Sequence, residues 1–131
     1  MRLLITGGAG YIGSHVALHA LDDGYDVTIF DNLSTGRKKN INKKTQFIQG
    51  STTSRSDLSK LFKKNKYDAV IHLAASKAMG ESMSFPSKYA HNNIVGGLNL
   101  INACCEYNVK VFIFSSSASV YGNPPNNPID E

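Results

Sequence analysis

Leu3-Leu4-Ile5-Thr6-Gly7-Gly8-Ala9-Gly10-Tyr11-Ile12-Gly13 is the stretch that decides the fold. Its start, Leu3-Leu4-Ile5, has the unbroken apolar character of a strand buried on both faces. Its centre carries two overlapping glycine patterns, Gly8-x-Gly10-x-x-Gly13 and Gly7-x-x-Gly10-x-x-Gly13. Glycines at these positions allow a tight strand-to-helix turn and a close backbone approach to a pyrophosphate. The negative charge then meets the free N–H groups of the following helix. That helix is expected over residues 11–23, with Ile12, Val16 and Ala20 on one face and Gly24 as its stop. A glycine pattern alone is a weak signal. Here a strand precedes it and a helix follows, and that context favours a dinucleotide site over a bare turn.

Working outward, short apolar runs alternate with longer amphipathic ones. Strands are expected at Val27–Phe30, Phe47–Ile48, Ala69–Leu73 and Val111–Phe114. Ser54 caps a helix with Asp57 three residues on and Leu58, Leu61 and Phe62 facing in. Pro86 opens a long helix to about Tyr107, with Ile94, Leu98, Ile101 and Cys105 on one stripe and Val95 and Leu100 off it. Strand–helix alternation with fully apolar strands means a parallel sheet covered on both faces. Right-handed crossovers then give the order 3-2-1-4-5. The expected fold is α/β, a doubly wound parallel sheet of Rossmann type, with residues 1–131 as one dinucleotide-binding domain.

Composition agrees. The 131 residues are 41% hydrophobic with 11 glycines, a balance that supports a folded core and excludes a disordered chain. Apolar runs stop after a handful of residues, which excludes a membrane-spanning helix, and glycines arrive too early for a secretory leader. The two cysteines, Cys104 and Cys105, are neighbours and close no loop, so free thiols in a reducing, cytoplasmic setting are expected. Net charge is +4, and ten of the 14 Lys and Arg fall within residues 37–66 beside one acid, Asp57. No aromatic interleaving accompanies these cations. A solvated face is expected, not a nucleic-acid partner.

Three further places carry chemistry. Asp31 ends the second strand 18 residues after Gly13, where a carboxylate can accept both hydroxyls of an adenosine ribose. A 2′-phosphate would meet like charge there, so NAD is expected over NADP, although Arg37, Lys38 and Lys39 lie nearby. The alternative for Asp31 is a turn residue before Asn32. Leu73-Ala74-Ala75-Ser76-Lys77 follows the fourth strand with small residues that let a flat ligand lie against the backbone. Ser115-Ser116-Ser117 follows the fifth, where a hydroxyl can hold a substrate oxygen. His15 and His19 lack a third metal ligand, and no metal is expected.

Together these residues carry a resemblance. Thr6-Gly7-x-x-Gly10-x-x-Gly13, Asp31-Asn32-Leu33, Lys77-x-x-Gly80-Glu81-Ser82, Pro86-x-x-Tyr89-x-x-Asn92-Asn93 and Ser115-Ser116-Ser117-Ala118-x-Val120-Tyr121-Gly122 resemble the extended short-chain dehydrogenase/reductases, and among them the UDP-hexose 4-epimerases. The resemblance implies NAD as cofactor, a UDP-sugar as substrate and a homodimer paired through the helix opened by Pro86. It implies that Gly7, Gly10, Tyr11, Ile12 and Gly13 serve the pyrophosphate. Asp31, Asn32, Leu33, Ser34, Thr35 and Gly36 would surround the adenosine, with Ser51 and Thr52 beside the adenine. Leu73, Ala74, Ala75, Lys77 and Asn92 would line the cofactor. Ser115 would sit by the nicotinamide and Ser117 would hold the reacting sugar hydroxyl. Two departures stand out. Ser51 replaces the aspartate usual in such families, and no lysine follows any of the six tyrosines at the fourth position. The chain is therefore expected to stop short of the catalytic Tyr-x-x-x-Lys and of the substrate domain, and to be inactive alone. Another nucleotide-sugar epimerase or dehydratase, or a non-catalytic NAD-binding module, remains the alternative.

Overall fold

The structure, a computed structural model, describes residues 1–126, 128 and 129; the last part of the expected 1–131 domain lies outside them. Five strands form one parallel sheet in the expected order β3-β2-β1-β4-β5. They are β1 (Arg2–Thr6), β2 (Asp26–Asp31), β3 (Gln46–Gln49), β4 (Ala69–His72) and β5 (Val111–Phe114). In register, Thr6 lies opposite Phe30 on one side and His72 on the other. Because every pair is parallel, Thr6, Asp31, Gln49, His72 and Phe114 all end at one sheet edge, and the loops beyond them share a rim.

The period-2 alternation of side chains divides the apolar residues between two cores. Leu4, Phe30 and Val70 pack with Leu58, Leu61 and Phe62 of α2 (Arg55–Lys64) and with Leu100, Ala103 and Cys104 further on. Burial pushes the Cys104 thiol up to about 11, so it behaves as a small apolar group. Leu3, Ile5, Val27 and Ile29 pack with Ala17 and Ala20 of α1 (Tyr11–Asp22). The cap on α2 is as expected: Ser54 Oγ accepts the Asp57 N–H at 3.2 Å. All ten cations of residues 37–66 are exposed, five before the outer strand β3 in sequence and five after it, four of the latter on α2. Charge of this kind discourages further strand addition at a sheet edge.

Two helices differ from expectation. In α1 the buried line is Gly13, Ala17 and Ala20, while Ile12 is 55% exposed. Of the expected face, Ala20 is buried and Val16 packs partly buried against the same core, and only Ile12 turns outward; the small residues Gly13 and Ala17 let the helix approach the sheet closely.

The segment after β4 is more broken than a single helix. It contains α3 (Met79–Ser84), α4 (Pro86–Ala90), a π-turn (His91–Val95) and α5 (Gly96–Glu106). From α4 to α5 the backbone stays right-handed helical throughout. The stripe Ile94, Leu98, Ile101 and Cys105 faces outward, and α5 buries Gly96, Asn99, Leu100, Ala103 and Cys104 instead. The reason is close packing. A Cβ on Gly96 would lie 2.6 Å from Thr52 Oγ1, so only glycine lets the helix rest on the loop after β3. Asn99 completes that seam by donating Nδ2–H to the carbonyls of Thr52 and Thr53 and accepting from Arg55 Nε.

Candidate cofactor site

At the rim, the chain leaves β1 through Gly7, whose φ of +74° is left-handed. A Cβ there would also sit 2.7 Å from Ala74 N, so the glycine lets the loop after β4 close over the turn. Gly13 is buried behind it, against the Gly7 carbonyl. Gly10 is the N-cap of α1 and no side chain caps that terminus. The first-turn N–H groups, with Tyr11 and Ile12 exposed around them, are therefore open to an anion, as a pyrophosphate requires.

Asp31 is 8% exposed at the end of β2. Its Oδ2 accepts the Ala9 N–H at 3.0 Å and its Oδ1 accepts the Leu33 N–H at 2.7 Å. One carboxylate thus ties the glycine turn to the next loop, and each oxygen retains a lone pair for a hydroxyl donor. The turn-residue alternative and the ligand role are compatible in this geometry. Leu33 takes a φ of +61°, steadied by the bond to Asp31, and the Ser34 N–H is held by Asn32 Oδ1. Gly36 curls back against Ala9 and Asp31. Ala9 O then accepts from Arg37 N and from Asn40 Nδ2, so the loop through Gly36, with exposed Ser34 and Thr35, wraps the glycine turn.

The next loop holds Ser51 and Thr52. Ser51 Oγ lies 2.8 Å from Thr53 Oγ1 and its N–H donates to Asp57 Oδ2, while Thr52 is buried under Gly96. Beyond β4, Leu73 and Ala74 are half-buried and Ala75 and Lys77 are exposed. Asn92, on the π-turn, donates to Asn93 Oδ1 at 2.9 Å. Beyond β5, Ser115 N donates to His72 O, and Ser117 Oγ accepts the Ser119 N–H at 3.1 Å. The glycine turn, the Asp31 loop and the loop after β4 therefore meet. Lys77, Ser115 and Ser117 reach the same rim without a side-chain bond to that group among the described residues.

Several contacts at the site were not legible beforehand. Thr6 Oγ1 and His72 Nδ1 share a buried hydrogen bond of 2.6 Å that ties β1 to β4 directly under the rim, and desolvation holds the His72 pKa below its ordinary 6.5. Glu81 accepts from Lys88 Nζ and Tyr89 OH, each at 2.6 Å, which holds its carboxyl low, raises the Tyr89 phenol and fastens α3 to α4. Asn40 acts across 31 residues, Asn93 across 17 and Asn99 across 44 to 47, and no local pattern marks these partnerships.

Residues 3–131 match the NAD dependent epimerase/dehydratase family. The chain is 43% identical to a UDP-glucose 4-epimerase of Bacillus subtilis (strain 168), over 100% of this chain and 41% of that protein. It superposes on the Thermus thermophilus UDP-glucose 4-epimerase complex with NAD with a TM-score of 0.94 at 35% identity, covering 100% of this chain and 42% of that one. Against the Thermotoga maritima UDP-glucose 4-epimerase with UDP-glucose the TM-score is 0.90 at 38% identity, covering 96% and 41%. The chain thus spans about two-fifths of the length of these relatives. Among the described residues no helix is long and apolar enough to cross a membrane. With the glycine turn, the buried strand-end carboxylate and the sheet order all in agreement, the chain belongs to the NAD dependent epimerase/dehydratase family.

Proposed function

We propose that this chain binds NAD and forms the cofactor-holding part of a UDP-hexose 4-epimerase that interconverts UDP-glucose and UDP-galactose. The observation that carries the reading is Asp31, buried at the strand end and bonded to the glycine turn, beside an α1 terminus that no side chain caps. These residues fit the cofactor. Gly7, Gly10, Tyr11, Ile12 and Gly13 would hold the pyrophosphate. Asp31 would accept from the ribose, with Asn32 to Gly36 closing around the adenosine and Ser51 and Thr52 beside the base. Leu73, Ala74, Ala75, Lys77, Asn92 and Ser115 would line the rest. Bound NAD supplies a hydride acceptor and donor for the sugar carbon. Ser117 would orient the sugar hydroxyl. The proton-transferring tyrosine, its lysine and the sugar domain belong, in this proposal, to the length of the relatives that this chain does not cover.

The free thiols Cys104 and Cys105 suit a reducing, cytoplasmic setting. The outward stripe Ile94, Leu98 and Ile101 suits pairing with a second copy. Titration calorimetry with both dinucleotides tests the cofactor assignment. NAD is expected to bind at least about tenfold more tightly than NADP, because the Asp31 carboxylate repels a 2′-phosphate, a difference of about 1.4 kcal/mol. Asp31→Ala should narrow that gap. Equal or tighter NADP binding by the unmodified chain would overturn the Asp31 assignment.

A further inference from the structure

Between His72, where β4 ends, and Met79, where α3 begins, the chain has no regular structure. Yet this is the loop whose Ala74 lies against Gly7 and closes over the glycine turn. Its start is fixed by the Leu73 N–H donating to Thr6 O at 3.1 Å. Past that point, the backbone of residues 74–77 makes two hydrogen bonds among the described residues, and both go to one side chain. Ser76 N donates to Asn93 Oδ1 at 2.8 Å, and Asn93 Nδ2 donates to Ser76 O at 2.9 Å. The carboxamide reads the Ser76 peptide groups as a neighbouring strand would, donor to acceptor and acceptor to donor. Asn92 Nδ2 adds a third bond, to Asn93 Oδ1, which orients the amide. The π-turn His91–Val95 carries both residues.

We propose that Asn93 is a positioning residue for cofactor binding: its carboxamide clamps the Ser76 peptide and so holds the loop after β4 in the shape that faces the glycine turn. The proposal rests on the NAD reading above and adds the group that keeps one wall of the site in place. Asparagine is required on chemical grounds. Alanine leaves both Ser76 groups without their partner. Aspartate at neutral pH keeps the acceptor but loses the donor, and its charge faces the Ser76 carbonyl. A protonated aspartate has one donor and one acceptor again.

The test uses wild type, Asn93→Ala and Asn93→Asp, with NAD affinity by calorimetry, hydrogen exchange of the Ser76 amide, and melting temperature. For Asn93→Ala, exchange of the Ser76 amide should accelerate about tenfold or more and NAD affinity should fall by a similar factor, with exchange in β1 and α2 unchanged. For Asn93→Asp, affinity relative to wild type should be low at about pH 8 and recover only as pH falls toward about 4, near the ordinary aspartate value, where the carboxyl takes up its proton. Wild-type exchange at the Ser76 amide in Asn93→Ala overturns the clamp. So does wild-type affinity in that variant, or a pH-independent deficit in Asn93→Asp. Faster exchange spread evenly over the chain with a lower melting temperature means a merely structural role and also overturns it. Failure of wild type to bind NAD is a separate result, which overturns the cofactor reading on which the proposal rests.

Discussion

Single residues at the rim carry two duties. Asp31 bonds two backbone N–H groups and still presents lone pairs to a ligand, so its removal loosens the site and the glycine turn together. Ser51 is the opposite case: its hydroxyl is occupied with Thr53, and it offers an adenine amino group less than a carboxylate would. Ser51→Asp should tighten NAD binding by about one charge-assisted hydrogen bond, roughly 1.5–3 kcal/mol before exposure and the nearby Asp57 carboxylate are discounted. An unchanged dissociation constant in calorimetry would mean that this loop does not reach the adenine.

His72 makes a stability prediction at the same scale. Desolvation depresses its folded-state pKa below 6.5, so the unfolded chain takes up the proton first as pH falls. Its contribution is complete above about pH 6.5 and is lost as pH falls through the folded value, with a slope of at most about 1.4 kcal/mol per pH unit. Urea unfolding of wild type and His72→Gln between about pH 7.5 and 5.5 measures it. The wild type should lose more stability than the variant, and parallel pH profiles would contradict the assignment.

Among the elements, the helix from Pro86 to Glu106 matters most. One face, Gly96, Asn99, Leu100 and Ala103, is committed to the sheet and to the loop after β3. The π-turn gives the site Asn92 and Asn93. The third face exposes Ile94 at 59%, Leu98 at 55% and Ile101 at 44%, a contiguous apolar stripe of the kind that marks an interface. Light scattering at micromolar concentration should show a dimer or larger species, and Leu98→Glu should shift it toward monomer. Because Leu98 is outside the core, that variant should leave the monomer's own stability within about 0.5 kcal/mol. A clean wild-type monomer would argue against pairing through this face.

For the molecule as a whole, the sheet supplies a rim at which several loops converge, and the proposed epimerisation would need an acid–base pair at that rim. Ser117 is an alcohol whose hydroxyl caps the following 3₁₀ turn, so it can orient a sugar oxygen but cannot remove its proton at neutral pH. Tyr121 is exposed in the same turn, with Pro125 where a lysine would be needed. These 131 residues with added NAD are therefore expected not to interconvert UDP-glucose and UDP-galactose in a coupled assay. Loss of the acid–base group alone forfeits a factor of about 10²–10⁴. Turnover abolished by Tyr121→Phe would make Tyr121 the base and refute this expectation.

Strand order, the glycine turn, the Ser54 cap and the strand-end position of Asp31 were all legible in the residues, because each depends on spacing or on partners within a few positions. The apolar run of β1 and the glycines that follow it allow little but a buried parallel strand entering a helix. Which face of α5 turns inward was not legible, since Ile94, Leu98 and Ile101 make as good an apolar stripe as the one buried. Packing against Thr52 decided it, by admitting a glycine face and excluding a branched one. The Thr6–His72 pair, the Asn99 seam and the Asn93 clamp join residues 17 to 66 positions apart. A hydrogen bond over that distance leaves no periodic trace, because it forms only after the sheet has brought its partners to one rim.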